Sequence, residues 1–201
     1  MYVNCNIPSS RLSDYCLCDD NAEICTAKIT IGNIHYIVSS LYRPHDKHHN
    51  VNEFNTFIDN FLSQSIFLDN QTILTGDFNI NLLEHDTYPP ANDFSSTMRS
   101  LNHFPHTSRP TRFPDGDSAV SPSLLDHIWT NFTAPFSSGI FFPLSDHLPT
   151  FLNIPILERV RANHKITFRI KNAGNYARFK SKISELNWDS PRFEHKLQYV
   201  S

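Results

Sequence analysis

A layered α/β domain is the fold class this sequence predicts, on three observations. Ile24 to Ile31 and Ile34 to Tyr42 are β-branched runs parted by Gly32-Asn33, the pattern of a hairpin with a two-residue turn. Phe54, Phe57, Ile58, Phe61 and Leu62 follow at i, i+3, i+4, i+7 and i+8, the stripe of an amphipathic helix. A short apolar run from Thr72 to Thr75 then ends in Gly76-Asp77-Phe78-Asn79, where Gly76 is expected to turn the backbone sharply. Strand, helix and strand in succession imply packed layers.

In chain order, Met1 to about Asn21 is irregular and reads as a strand end followed by a loop. The hairpin comes next, and Arg43-Pro44 stops its second strand. The loop His45-Asp46-Lys47-His48-His49 is histidine-rich, but no partner spacing recurs elsewhere, so a solvated loop is favoured over a metal site. Asn50-Val51-Asn52-Glu53 resembles a capping box and opens the first helix. Pro90-Ala91-Asn92-Asp93-Phe94 begins a second helix that runs to about Leu101. Leu124 to Asn131, Phe136 to Leu144 and a final run to Ile154 read as further strands.

With 201 residues, 39% of them hydrophobic and 18% charged, the chain can bury one full core and carries no disordered or fibrous bias. No apolar run approaches the ~18–20 residues a membrane span needs, and the start lacks a secretory pattern. Cys5, Cys16, Cys18 and Cys25 match neither a zinc spacing nor a distributed disulfide framework, and read as reduced thiols in an intracellular protein, nuclear or cytoplasmic. The net charge of −3 hides an asymmetry: residues 157–201 hold ten basic against four acidic side chains, so the larger part is strongly acidic. Charge alone therefore does not support generic nucleic-acid binding by the main body, unless cations or a few placed arginines intervene.

The chemistry-bearing residues sit at strand ends. Asp77 offers a hard oxygen or a proton acceptor, while Asn79 can only make hydrogen bonds, and both would emerge at the C-terminal edge of their strand. On its own the pair reads equally well as a polar turn. Asp126 is flanked by apolar positions, and a buried carboxylate needs a partner. His147 follows Asp146 at the head of the last strand, placed to meet a second aspartate and be held in one tautomer. In Ser108-Arg109-Pro110-Thr111-Arg112, the two arginines read either as a loop salt-bridged to the acidic body or as a phosphate contact.

Taken in order, Tyr42-Arg43-Pro44, Thr75-Gly76-Asp77-Phe78-Asn79, the Arg109-to-Arg112 segment, Leu125-Asp126-His127-Ile128-Trp129-Thr130-Asn131 and Ser145-Asp146-His147 resemble the endonuclease/exonuclease/phosphatase superfamily. Within it they resemble the apurinic-endonuclease-like domain of non-LTR (LINE-type) retrotransposon polyproteins, over about residues 20–155. The resemblance implies a four-layered α/β sandwich, two packed sheets flanked by helices, that hydrolyses phosphodiester bonds with Mg²⁺ or Mn²⁺. It implies catalytic roles for Tyr42, Asp77, Asn79, Asp126 and His147. Asp77, Asn79 and Asp146 would serve the metal, and Arg43, Arg109, Thr111 and Arg112 would contact nucleic acid.

The resemblance also places an Asn strand and a Glu strand upstream of the hairpin. Neither is present, and Glu23 reads as structural, so an N-terminally truncated domain is expected over residues 1–155. Residues 156–201 would then be a basic, partly helical linker leading towards a reverse transcriptase. The implied partners are DNA and that reverse transcriptase domain, with no membrane and no small-molecule cofactor. The rival readings are an inactive remnant that at most binds nucleic acid or a partner, and a lipid phosphatase that shares the motifs.

Overall fold

Alternating β-branched residues build one principal sheet in this computed structural model, which describes residues 1–44, 50–113, 121–142, 145–155 and Ser181. The chain divides into two units, Met1–Arg159 and Val160–Ser201, and the architecture below is that of the first. The expected linker over 156–201, the histidine-rich loop at 45–49 and the end of the Phe136-to-Leu144 run lie outside the described residues.

Two short strands, β1 (Ser9–Arg11) and β2 (Leu17–Cys18), precede the hairpin of β3 (Glu23–Ile31) and β4 (Ile34–Tyr42). Helix α1 (Val51–Leu62) and the single turn α2 (Ser65–Leu68) lead into β5 (Gln71–Asp77). Then come α3 (Pro89–Ser100), β6 (Phe104–Pro105), β7 (Asp126–Thr130), β8 (Ser137–Ile140) and β9 (Thr150–Asn153). The large sheet runs β1-β3-β4-β5-β7-β6 with β2 also on β3, and β8 pairs with β9 in a second, two-stranded sheet. Among the described residues only β4 and β5 pair in parallel, because α1 and α2 form the crossover between them.

The pleat sorts the strands into two faces. Ile24, Ile37, Leu41, Leu74 and Trp129 point to one side and pack with Phe54, Ile58, Phe61 and Leu62 of α1 and Ala91, Phe94 and Met98 of α3. Phe94 is the hub, lying 6.0 Å from Phe54, 5.6 Å from Phe78 and 5.7 Å from Trp129 between ring centroids. Helix α1 begins where Asn50 accepts a hydrogen bond from the Asn52 N–H, as its position before the apolar stripe predicts. The other face of the sheet is set by the same alternation and carries Tyr42, Asp77 and Asp126.

Two local features differ from the sequence reading. The first twenty residues are not simply a strand end and loop, since β1 and β2 cover successive stretches of β3. Gly76 does not turn the chain: it stays in β5, and a Cβ there would stand 1.8 Å from the Leu41 carbonyl oxygen, at a φ of +144°. Glycine serves close approach of two backbones, and the turn falls to Asn79, whose φ is 49°.

Candidate active site

Register puts three of the expected residues level across the sheet. Tyr42 of β4 lies opposite Asp77 of β5, and Asp77 opposite Asp126 of β7. Because the three strands share a pleat phase at this level, the side chains emerge on the same face. Just beyond, the backbone is tied together: Arg43 N–H donates to the Asp77 carbonyl at 2.9 Å, and Phe78 N–H to the Leu125 carbonyl at 2.9 Å. The strand ends bearing the acids are thus fixed relative to one another.

His147 joins them from the segment before β9. Its Nδ1–H donates to Asp126 Oδ2 at 2.9 Å, which leaves Nε2 of the neutral ring as a proton acceptor. Ser145 fastens the backbone of this histidine, its hydroxyl accepting from the His147 N–H at 3.1 Å and donating to the His147 carbonyl at 3.2 Å. Ligand atoms of Asp77, Asp126 and His147 all lie within 4.8 Å of one another, and each residue is half-buried. Burial first, then the neighbouring Asp126, push the Asp77 carboxyl above its ordinary value, against the lowering effects of the Asn79 N–H, His147 and Arg112. Two carboxylates this close in a partly desolvated site favour either a shared proton or a cation.

A divalent cation fits this donor set, since two carboxylates supply hard oxygens and the imidazole a borderline nitrogen. The converging set differs from the expected one. Asp146 turns to Arg112, whose Nε donates to its Oδ2 at 3.2 Å, and it is not part of the 4.8 Å group. Asn79 uses its backbone N–H to cap Asp77 Oδ1 at 3.0 Å, and its side-chain Nδ2 to reach the Arg43 carbonyl at 2.7 Å. It shapes the loop that presents Asp77.

Two residues expected on a nucleic-acid surface are interior. Arg43 is 4% exposed; its Nη1 donates to the Asn79 carbonyl at 3.2 Å and its guanidinium lies 5.5 Å from the centre of the Phe54 ring. Burial lowers its pKa from the usual arginine value. Thr111 is fully buried, and its hydroxyl oxygen accepts from the N–H groups of both Leu125 and Asp126, at 3.1 and 3.0 Å. Both residues position the acids. Arg109 is exposed, Arg112 is half-buried, and Tyr42 retains 43% exposure.

Sequence reasoning missed His127. It points to the helix side of β7, is buried, and stacks on Phe78 at 4.7 Å. Its Nε2–H bridges the carbonyls of Ile80 and Leu124, at 3.0 and 3.1 Å, pinning the segment after Asn79 to the approach to β7. Burial pushes its pKa down to about 4, so the ring is neutral. Its place directly after Asp126, on the opposite pleat, was the available signal.

The sequence matches no protein-family model and no curated protein. Solved structures do match. The endonuclease domain of TRAS1, a telomere-specific non-LTR retrotransposon, superposes with a TM-score of 0.61 over 77% of this chain and 72% of that one, at 12% identity. An endonuclease/exonuclease/phosphatase family protein from Leptotrichia buccalis gives 0.49 over 66% of this chain at 18% identity, and D. rerio TDP2 complexed with single strand DNA product gives 0.47 over 70% at 13%. The chain spans 54% of the Leptotrichia protein's length and 64% of the TDP2 chain's. The fold of this chain is thus the mixed α/β fold of the TRAS1 endonuclease domain.

Proposed function

We propose that this protein hydrolyses phosphodiester bonds in DNA with the help of Mg²⁺ or Mn²⁺, as the nicking endonuclease domain of a non-LTR retrotransposon. The observation that carries the reading is the convergence of Asp77, Asp126 and the Asp126-held His147 within 4.8 Å on an accessible sheet face. The resemblance of the Tyr42, Asp77, Asp126 and His147 motifs to that branch supports it, as does the fold shared with the TRAS1 domain. In the same reading, residues 1–155 form the nuclease domain and residues 156–201 lead towards a reverse transcriptase of the same polyprotein.

Asp77 and Asp126 would hold the cation, which when bound supplies neutralisation of the charge developing on the phosphate. Asp77, whose pKa is raised by burial, is suited to take the proton of the attacking water. His147 is fixed through Nδ1 by Asp126 and turns its second ring nitrogen to a non-bridging oxygen or into proton transfer with the attacking or leaving oxygen. Tyr42, level with Asp77 on the neighbouring strand, would hydrogen-bond the scissile phosphate. The half-buried Arg112, drawn towards the site by Asp146, adds positive charge beside it, and exposed Arg109 would meet the DNA backbone.

The test is relaxation of supercoiled plasmid by purified protein with Mg²⁺, Mn²⁺ or EDTA, beside Asp77→Asn and His147→Ala. Cation-dependent nicking lost in both variants is expected. A folded wild type that does not nick with either metal, or variants that nick as well as wild type, would overturn the assignment.

A further inference from the structure

The cysteines take no part in the site described above, yet two of them are brought together by strand register. Leu17 pairs with Ile24 and Cys18 with Glu23, and the Asp19 N–H donates to the Ala22 carbonyl at 3.2 Å, marking a hydrogen-bonded pair. Alternation along an antiparallel ladder makes Leu17 and Ile24 the next hydrogen-bonded pair. The paired register ends at Leu17 and Ile24; Cys16 is extended, with φ −105° and ψ 123°, and continuing the register by one residue sets it opposite Cys25 in a non-hydrogen-bonded position, with the two side chains within hydrogen-bonding reach. Such pairs have Cα atoms about 4.5 Å apart and side chains on one face, inside the roughly 4.4–6.8 Å that a disulfide spans.

The surroundings of the two sulfurs are unequal. Cys16 Sγ accepts hydrogen bonds from Arg11 Nε at 3.5 Å and from the Thr26 backbone N–H at 3.3 Å, and the Leu12 carbonyl lies 3.4 Å away to take the thiol proton. It replaces a backbone acceptor in the gap between β1 and β2. Burial pushes the Cys16 thiol up, but the bonds from Arg11 and Thr26, the Arg11 charge and the nearby Cys25 outweigh it and leave the thiol below its usual value. Cys5 and Cys18 are exposed, whereas Cys16 and Cys25 are half-buried.

We propose that Cys16 and Cys25 form a peroxide-reactive dithiol, in which Cys16 is the attacking sulfur and Cys25 closes a cross-strand disulfide between β3 and the extended residue before β2. The Cys16 thiolate attacks one oxygen of a hydroperoxide; the O–O bond breaks, an S–O bond forms, and the leaving alkoxide or hydroxide takes up the proton lost by the thiol. The Cys25 thiol then attacks the Cys16 sulfenic sulfur, forming S–S and releasing water. Overall two thiols and one hydroperoxide give a disulfide, an alcohol or water, and a further water. Arg11 is the positioning residue, holding the thiolate by its Nε donor.

The experiment uses the reduced, full-length protein with hydrogen peroxide, followed by non-reducing peptide mapping by mass spectrometry. The expected product is a Cys16–Cys25 bond. Under dimedone, Cys25→Ser should trap its adduct at Cys16, because the sulfenic acid has no resolving partner. Arg11→Leu should slow wild-type disulfide formation by about fivefold to tenfold at neutral pH. A bond that joins any other pair, an absence of bond formation, an adduct on Cys5 or Cys18, or an unchanged rate in Arg11→Leu would each overturn the proposal. The wild-type map needs no substitution, so it decides the matter even where a variant fails to fold.

Discussion

Asp126 and His147 come from segments twenty-one residues apart and meet at 2.9 Å, Oδ2 to Nδ1, so one carboxylate both sits among candidate cation ligands and fixes the tautomer of the neighbouring imidazole. Asp126→Asn should therefore impair two functions together. Its carboxamide can still accept from Nδ1–H, but it weakens cation affinity and no longer stabilises the imidazolium. A loss of nicking of about 10²- to 10⁴-fold is expected for Asp126→Asn and for His147→Ala, measured as single-turnover rates at saturating cation. Retention of wild-type rates by either variant would remove the dyad from the mechanism.

Cation binding should also be visible without catalysis. With Mg²⁺ or Mn²⁺ at about a hundred times its Kd, mass action adds about 2.7 kcal/mol of stability, which for a domain of this size raises Tm by roughly 5–10 °C. Asp77→Asn should erase most of that shift, while Asp146→Asn should leave it largely intact because Asp146 is committed to Arg112. Differential scanning fluorimetry with and without EDTA reads both, and the opposite ranking of the two variants would restore Asp146 as the ligand.

Gly76→Ala should be among the most damaging single changes. The added methyl would stand 1.8 Å from the Leu41 carbonyl oxygen, with φ at +144°, and neither strand can retreat without breaking the parallel β4–β5 ladder. A cost of about 3 kcal/mol or more follows, to be read from urea denaturation. A near-neutral result would show that β4 and β5 are not held at this separation.

Stability should fall on mild acidification because of His127. In the folded chain it stays neutral down to about pH 4, whereas the unfolded value is 6.5. Between these the unfolded state binds more protons, so the stabilisation is fully present above about pH 6.5 and is lost as pH falls towards 4, by on the order of 3 kcal/mol. His103 and His106, also depressed by burial, add slope of the same sign. The raised Asp77 carboxyl contributes the opposite sign, since it favours the folded state at low pH. His127→Phe should flatten the net profile between pH 4.5 and 7 in chemical denaturation, and an unchanged slope would assign the acid sensitivity elsewhere.

The two arginines of the expected DNA surface should separate cleanly. Arg109→Ala should weaken DNA binding uniformly across sequences and reduce the salt slope by about one. Arg43→Ala should lower Tm, because an interior cation and its contact with the Asn79 carbonyl are removed. A salt slope changed by Arg43→Ala, in protein shown to be folded, would put that side chain on the phosphate after all.

Much of this fold was legible because its principal elements repeat a period. The hairpin turn at Gly32-Asn33, the stripe from Phe54 to Leu62 and the apolar run ending at Asp77 each specify one backbone geometry locally. The opening strands were not legible, since Ser9–Arg11 and Leu17–Cys18 are too short to alternate and exist only by pairing with β3. The Asp126–His147 meeting could be anticipated from a carboxylate among apolar neighbours and a histidine at a strand head. The inward turn of Arg43 and Thr111 could not. Spacing does not say which side of a loop faces the body, and the buried guanidinium is received in part by Phe54 and the Asn79 carbonyl.

The Thr111 hydroxyl carries a consequence for how substrate could be sensed. One oxygen anchors the Leu125 and Asp126 amides where β7 begins, while Arg109, two residues before Thr111, is exposed and Arg112, next to it, is half-buried and bonded to Asp146. A phosphate backbone pressing on those arginines would transmit its load through a single side chain to the Asp126 carboxylate. Docking and alignment of the acid would then be one mechanical event, and Thr111→Val, which keeps shape but removes the oxygen, would uncouple grip from chemistry.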